Sequence, residues 1–479
     1  MLRTYALQHV ANPGKQDKIR KTIMAYRTTA ESIAGQQWRL FFQEAQGFNK
    51  NLDIKHLSSS LSERYKQTCQ YQVVGVLDSF ISNRQREFVM TVMRSNLKEH
   101  DKKKLLYINR HKLWYSRGAF SVWKSQLTID VDTLKLSRKI FNHILGRHKK
   151  PSFRGINMAL DSKVALITSK QPDKAISFDY WIRLSTTDKG KPVYMPLKTN
   201  GYFDGIAGKR KDFCHINLAG NNEITVSLIK DVPKPTYLPE TPSIALDLGL
   251  ATLFATNRGD LMGRNFYNVL QKYDALISRL AMGRQRQGLP VRSKRYDKLV
   301  SNLRMFMKNE INRVINRLVD LYKPAEIVVE RLCFQNSNLS KRMNRLLSWF
   351  GKSYVSAKLY SIGEAFGIVI TETNPAYSSQ ECSACGYVDK ANRMSQAVFK
   401  CKCCDTGMHA DVNAGRNHLK RSSFGVIDVY RSKPAVLRIL TEGFLSNVER
   451  IPRLYSKAKG LLPENPYFRE LLAQSKGFL

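Results

Sequence analysis

Acidic residues are scarce in this chain. Only 39 aspartates and glutamates stand against 78 lysines and arginines over 479 residues, for a formal net charge of +39. The excess is spread along the whole length, so it is not the signature of a single basic tail. An uncompensated charge of this size repels itself, which makes solubility alone a poor account of it, and a polyanion, nucleic acid foremost, is the natural partner. Long apolar runs are also missing: none approaches the roughly twenty residues of a membrane span. The opening residues lack the charged and apolar regions of a signal peptide, and the expectation is a soluble, cytoplasmic, nucleoid-associated protein. Cysteine is sparse outside one stretch. Five of the eight fall between Cys382 and Cys404, a distribution that excludes a disulfide framework and points to metal ligands in a reducing compartment. Cys69, Cys214 and Cys333 stand alone and read as inert structural residues. The length itself allows two or three domains and a large core.

The crowded cysteines form two knuckles, Cys382-Ser383-Ala384-Cys385 and Cys401-Lys402-Cys403-Cys404. Knuckles about fifteen residues apart let four thiolates close tetrahedrally on one zinc ion, the spacing of a structural zinc ribbon. Cys382, Cys385, Cys401 and Cys404 are the preferred ligands, because a two-residue gap then repeats in both knuckles. Cys403 and His409 remain alternatives.

Met1 to Val10 reads as a short strand, ended by Asn12-Pro13-Gly14. From Gln16 to about Lys98, Ile19, Ile23, Tyr26, Val73, Val76, Leu77 and Phe80 recur at helical steps with basic residues between them. Residues 101–240 change character. The clusters Lys102-Lys103-Lys104, Arg147 to Arg154 and Lys209-Arg210-Lys211 are separated by β-branched runs at Lys163 to Thr168 and Glu223 to Ile229, the pattern of a small β-barrel or sandwich. Lys149, Lys150, Arg154 and the 209–211 cluster, interleaved with Trp114, Tyr115, Phe153 and Tyr202, suit a surface that grips phosphates and stacks on splayed bases.

A proline-rich linker at 233–242 precedes an apolar strand from Ser243 to Leu250, a second strand over 251–256 and a third after Gly259-Asp260. A helical hairpin over 266–322 follows, broken near Gly283, Gly288 and Pro290, where Arg284, Arg286, Arg292, Lys294 and Arg295 offer further nucleic-acid contacts. Then come a strand at Glu326 to Glu330, a helix from about Asn344 to Phe366, a strand at Gly367 to Thr371, the zinc module and a helix from Asp411 to about Arg421. That order is the order of an RNase H-like fold, with the first strand central and the fourth beside it. Asp247, Glu330 and Asp411 then sit at two strand ends and a helix start on one patch. Each alone would read as a solvated carboxylate. Together they repel unless cations intervene, and two magnesium ions about 3.5 to 4 Å apart would supply phosphodiester hydrolysis. Glu326 competes with Glu330 but starts its strand, and so should point to the far end of the sheet.

Asp247-Leu248-Gly249, Val329-Glu330-Arg331-Leu332, Asn374 to Gly386 and His409-Ala410-Asp411-Val412-Asn413-Ala414 resemble the RuvC and zinc-finger signatures of the transposon-encoded TnpB family and its descendants, the compact type V CRISPR effectors. The resemblance is specific over about 243–421, weaker before 240 and absent after about 425. It implies an RNA-guided DNA endonuclease: guide RNA and target double-stranded DNA as partners, protein recognition of a short flanking motif, two catalytic Mg ions on Asp247, Glu330 and Asp411, and one structural Zn ion. No HNH-like cluster interrupts the RuvC segments, so one site would cut both strands. The implied domains are the first wedge strand at 1–14, a helical recognition domain at 15–100, the rest of a wedge β-barrel at 101–240, RuvC parts at 241–372 and 409–425, the ribbon at 373–408 and a C-terminal extension at 426–479, helical, disordered or RNA-binding. Monomer and homodimer both stay open. So do two other classes, a guided DNA-binding repressor and an RNA-independent resolvase or transposase. Two departures from the pattern stand out: Asp405 follows Cys404 where Gly is common, and Gly415 replaces a usual Ala, which should weaken its helix slightly.

Overall fold

The computed structural model describes residues 1–123, 126–169, 178–219, 222–249, 252–331, 340–347, 351–448 and 450–469. Cys333 and Leu332 lie outside these, as do residues 449 and 470–479 of the expected extension. The chain divides into two compact units, Met1–Pro233 and Lys234–Leu479.

The first unit opens with β1 (Leu2–His9), α1 (Pro13–Gln43) and α2 (Glu63–Met93). Asn12 ends the strand and caps the helix, its side chain accepting from Lys15 N at 3.0 Å, with Pro13 in the first turn. Next come α3 (Glu99–Arg110), the hairpin β2 (Phe120–Val122) and β3 (Leu127–Ile129), and α4 (Val131–Gly146). The remainder is β4 (Met158–Asp161), β5 (Ala165–Ser169), β6 (Tyr180–Leu184), β7 (Val193–Lys198), the short α5 (Gly201–Gly205), β8 (Lys209–Leu218) and β9 (Ile224–Asp231).

Among the described residues seven strands form one antiparallel sheet in the order β4-β8-β9-β1-β7-β6-β5. The two end strands, β4 and β5, are consecutive in the chain, and Arg210 of β8 donates to Ile167 O of β5 at 3.3 Å, so the sheet curls toward closure. Ile19, Ile23, Tyr26 and Ile33 of α1 and Tyr65, Val73 and Leu77 of α2 share its core.

The expected β-region begins too early. Residues 99–146 are mainly helical, because Leu105 and Ile108 of α3 and Leu134, Phe141 and Ile144 of α4 bury a helical stripe against Phe41, Phe88 and Ile81. The lysines of 102–104, which suggested a loop, are carried on α3. Trp114 and Phe153, expected to stack on bases, are buried instead. Trp114 lies flat on Phe141, ring centroids 3.8 Å apart, and Phe153 joins the core beneath the large sheet. Tyr202, by contrast, is exposed, as are Trp123, Tyr194 and Tyr71.

The second unit contains β10 (Thr241–Asp247), β11 (Phe254–Thr256), β12 (Leu261–Met262), α6 (Phe266–Arg286), α7 (Lys294–Tyr322), β13 (Pro324–Glu330), α8 (Lys341–Leu346), α9 (Lys352–Phe366) and β14 (Val369–Thr373). The hairpin β15 (Val398–Lys400) and β16 (Gly407–His409), then α10 (Ala410–Phe424), α11 (Lys433–Val448) and α12 (Pro452–Leu461), complete it. Among the described residues five strands pair in the order β12-β11-β10-β13-β14, with β10, β13 and β14 parallel and the first three antiparallel. This is the RNase H-like order read from the sequence, with the first strand at the centre and the fourth beside it. One core joins Ile244 and Leu246 of β10 to Leu303, Ile311 and Leu318 of α7 and to Val355 and Leu359 of α9. No helix among the described residues is long and apolar enough to cross a membrane.

Candidate active site

Parallel pairing sets the first two carboxylates side by side. Leu246 of β10 stands opposite Val329 of β13, so the next residues, Asp247 and Glu330, leave the sheet together at the carboxyl ends of adjacent strands. Each offers an oxygen within 4.8 Å of the other and of a ring nitrogen of His418. The third carboxylate arrives from α10, which lies across this end of the sheet. Asp411 is in its first turn, where the helix dipole favours a negative charge. A Cβ on Gly249 would stand 3.3 Å from Asp411 Oδ2 and 2.7 Å from Thr252 O. Glycine at the end of Asp247-Leu248-Gly249 is therefore what lets the first strand's exit pass under Asp411.

The carboxylates resist ionising together. Burial, first, and then the charge of Asp247 push the pKa of Glu330 well above the usual carboxylate range, and Asp411 adds to this; a hydrogen bond from the Leu248 backbone opposes them. Burial and Asp247 push Asp411 up to about 6, although Arg393, whose guanidinium is 3.4 Å from Asp411 Oδ1, pulls it down. Buried acids raised by their neighbours are the electrostatic condition that a bound cation relieves. The oxygen donors, partly enclosed and short of positive partners, fit a hard divalent ion.

Glu326 is occupied elsewhere. It accepts from Ser243 at 2.7 Å, Thr371 at 2.5 Å and Ser422 at 3.2 Å, tying β10, β14 and α10 to β13. Burial pushes its pKa up, but the three hydroxyls outweigh that and hold it below the usual value.

Sequence reasoning passed over His418. It is fully buried on α10, seven residues after Asp411, and so two turns along the same face. That spacing was the available signal. Gly415 lies between them on this face, where a Cβ would come within 3.2 Å of Asn257 N. Its loss of helix propensity accompanies a close approach of α10 to β11 and the turn after it.

The opposite face of α10 holds the cysteine module. Asn413 accepts from Ser383 N at 2.9 Å and donates to Glu381 O at 2.8 Å. One turn on, Asn417 donates to Ser378 O and Glu381 O at 2.8 and 2.7 Å. Another turn on, Arg421 reaches Asn374 O and pairs with Glu381 Oε2 at 2.7 Å. In the module itself Cys382, Cys385, Cys401 and Cys404 gather their sulfurs within 4.8 Å of one another. The Cys382–Cys404 and Cys385–Cys401 pairs are both 3.6 Å apart, near the edge of a tetrahedron built on metal–sulfur bonds of about 2.3 Å. Cys403 is buried in the neighbouring apolar core, and His409 caps α10 by accepting from Asp411 N at 3.3 Å. Asp405 adopts φ 60°, the left-handed backbone that explains why glycine is usual there, and its carboxylate pairs with Lys457.

Residues 356–418 match the family model described as Cas12f1-like, TNB domain. This TNB match covers most of α9, β14, the cysteine module and more than half of α10. Over 59 residues the chain is 48% identical to the CRISPR-associated endodeoxyribonuclease Cas12f1 of Sulfoacidibacillus thermotolerans, spanning 12% of this chain and 14% of that protein. Over 239 residues it is 26% identical to InsQ of Escherichia coli strain K12, provisionally assigned as an RNA-guided DNA endonuclease, spanning 45% of this chain and 57% of that one. The matches thus span less than two thirds of either relative's length. Among solved structures, the Cas12f1–sgRNA–target DNA complex aligns with a TM-score of 0.39 at 14% identity, covering 87% of this chain and 98% of that one. A TnpB-like protein of Aquifex aeolicus strain VF5 is 32% identical over 77 residues, spanning 16% of this chain and 25% of that one, so relatives of both kinds carry the resemblance.

The basic residues of the TNB-bearing unit and of the first unit divide into two groups. Lys149, Lys150, Arg154, Lys209, Arg286, Lys294 and Arg295 are exposed, Lys150 with its ammonium over Phe42 at 4.7 Å. Arg210 and Arg284 are engaged internally, Arg210 with Ile167 O and Asp212, and Arg284 with Pro290 O at 2.6 Å across the α6–α7 turn. Lys211 pairs with Asp231 and Arg292 with Asp297.

Proposed function

We propose that this protein is an RNA-guided DNA endonuclease with a single RuvC-like site. The observation that carries the reading is that Asp247 and Glu330, on adjacent parallel strands, bring oxygens within 4.8 Å of each other, while burial and the charge of Asp247 raise both Glu330 and Asp411, the latter on the crossing helix. Asp247, Glu330 and Asp411 would hold Mg ions, two in the resemblance. When bound, such ions supply charge neutralisation and polarisation of a phosphodiester for hydrolysis. The chain's own residues do the positioning. The sheet fixes Asp247 and Glu330, Gly249 leaves room for Asp411, and Arg393 keeps a positive charge beside Asp411. Cys382, Cys385, Cys401 and Cys404 would bind one structural Zn ion, through which the module keeps its fold.

Guide RNA and target double-stranded DNA are the proposed partners. The curled sheet and helices of the first unit would serve as wedge and recognition lobe, their exposed lysines and arginines meeting backbone phosphates while base pairing carries sequence. The test uses full-length protein with its copurified RNA and a matching duplex. Wild type is expected to cut in magnesium, whereas Asp247→Ala and Glu330→Gln bind the target with unchanged affinity and leave it intact. Undiminished cutting by either variant, or no discrete copurifying RNA, would overturn the reading.

A further inference from the structure

His418 is the buried polar group of this site that the carboxylate chemistry leaves unused. Its ring is fully buried, and Nδ1 lies 2.8 Å from Thr373 Oγ1. Thr373 Oγ1 is also 3.2 Å from the carbonyl oxygen of Val329, to which it donates. A hydroxyl has one proton. With that proton directed at Val329, Thr373 accepts from Nδ1 and the Nε2 lone pair is free; directed at Nδ1, it leaves the ring hydrogen on Nε2, toward Asp247. Nε2 has no hydrogen-bond partner among the described residues, and it faces Asp247 Oδ1 at 3.5 Å. In the first arrangement a lone pair set against a carboxylate oxygen inside the protein is unfavourable on both counts, as an unsatisfied polar atom and as two negative ends in apposition. A cation shared between them removes both costs. The arrangement is also how proteins prepare a histidine for a metal: one nitrogen donates to a fixed acceptor, which sets the tautomer and aims the other.

We propose that His418 Nε2 is a direct ligand, together with Asp247 and Glu330, of one divalent cation of this site, and that Thr373 positions the ring for it. The three ligand atoms lie within 4.8 Å of one another. The inference rests on the nuclease reading of the carboxylates and adds a nitrogen donor to an otherwise all-oxygen set. Imidazole suits first-row transition ions better than magnesium, which prefers oxygen. The site should therefore favour Mn²⁺ over Mg²⁺ more strongly than three carboxylates alone would.

The test reads the bound metal and not the reaction. Full-length protein, its cysteine module loaded with zinc, is titrated with Mn²⁺ and examined by electron spin echo. Bound Mn²⁺ is expected to show nitrogen modulation that changes when the protein is labelled with ¹⁵N-histidine, disappears in His418→Asn and persists in His409→Asn. Thr373→Val, which keeps the shape of the side chain, should weaken Mn²⁺ affinity by about 10- to 100-fold. The labelled wild type decides the matter even if His418→Asn fails to fold. Mn²⁺ that is lost in Asp247→Asn but carries no histidine nitrogen in wild type overturns the ligand and leaves the carboxylate site standing. Mn²⁺ binding indifferent to Asp247→Asn overturns both.

Discussion

Asp411 pays electrostatically for its place beside Asp247, and the cost has a defined pH window. Its pKa is ordinary in the unfolded chain, near 4, and about 6 in the fold. An acid raised by folding holds its proton more tightly in the native state, so the destabilisation is absent below about pH 4, grows between the two values and is complete above about pH 6. A difference of this size is worth about 3 kcal/mol, less whatever the Arg393 contact returns. In magnesium-free buffer Asp411→Asn should therefore melt above wild type at pH 8 and level with it at pH 4, by calorimetry. Added magnesium should stabilise wild type more than the variant, which keeps Asp247, Glu330 and His418. A variant equal to wild type at both pH values would show that the charge is not strained. The choice of Glu330 over Glu326 was legible from strand direction alone, since parallel strands send their ends to one side. His418 was not, because a histidine inside a helix motif reads as ordinary polar filling until the sheet beneath it is known.

α10 is two-sided, and each face answers to a different partner. Asp411, Gly415 and His418 meet the sheet, while Asn413, Asn417 and Arg421 hold the cysteine module. Asn417→Ala would strip a buried donor from two carbonyl oxygens, at a cost of about 1–3 kcal/mol. The expected outcome is a lower melting temperature and faster zinc release to a chromogenic chelator, with Asp247 and Glu330 unaltered. Release at the wild-type rate would mean that this face is not a clamp. The motif from Asp411 to Asn417 announced the helix, but a one-dimensional pattern does not say which side faces which layer. The helices α3 and α4 were misread for a related reason. The lysines of α3 resembled a loop cluster, and the stripe of Leu105, Ile108, Phe141 and Ile144 became meaningful only with Phe41 and Phe88 packed against it. The apolar strands β10 and β13 had no such ambiguity, since a short run of buried β-branched residues after a proline linker has few other uses.

The C-terminal helices, which matched no pattern, cover the cysteine module. Phe444 and Phe468 pack on Tyr387, with Leu445, Val448 and Leu462 around them, and Asn465 donates to Tyr387 Oη at 2.8 Å and Val388 O at 2.9 Å. Phe444→Ala should cost about 3–5 kcal/mol and lower the melting temperature of the second unit. A melting curve unchanged by the substitution would place this contact outside the cooperative unit. Zinc removal, or Cys382→Ser, should do the same, because so small a module has little core beyond its metal. Nothing in residues 426–479 could have foretold this, since their stripes find meaning only in the aromatic face they cover. The net charge of +39, by contrast, was readable at once, and it predicts that nucleic-acid affinity falls steeply and log-linearly with salt; a flat response would remove the electrostatic account.

On the proposed reading one helix serves as the common wall of two ion-binding centres, with the thiolates behind it and the carboxylates in front. Stripping the rear ion would let Asn413, Asn417 and Arg421 loosen, and the wall carrying Asp411 would drift with them. Inactivation by a strong chelating agent would consequently be ambiguous, and restoration by magnesium alone, by zinc alone or only by both would reveal which centre had been emptied.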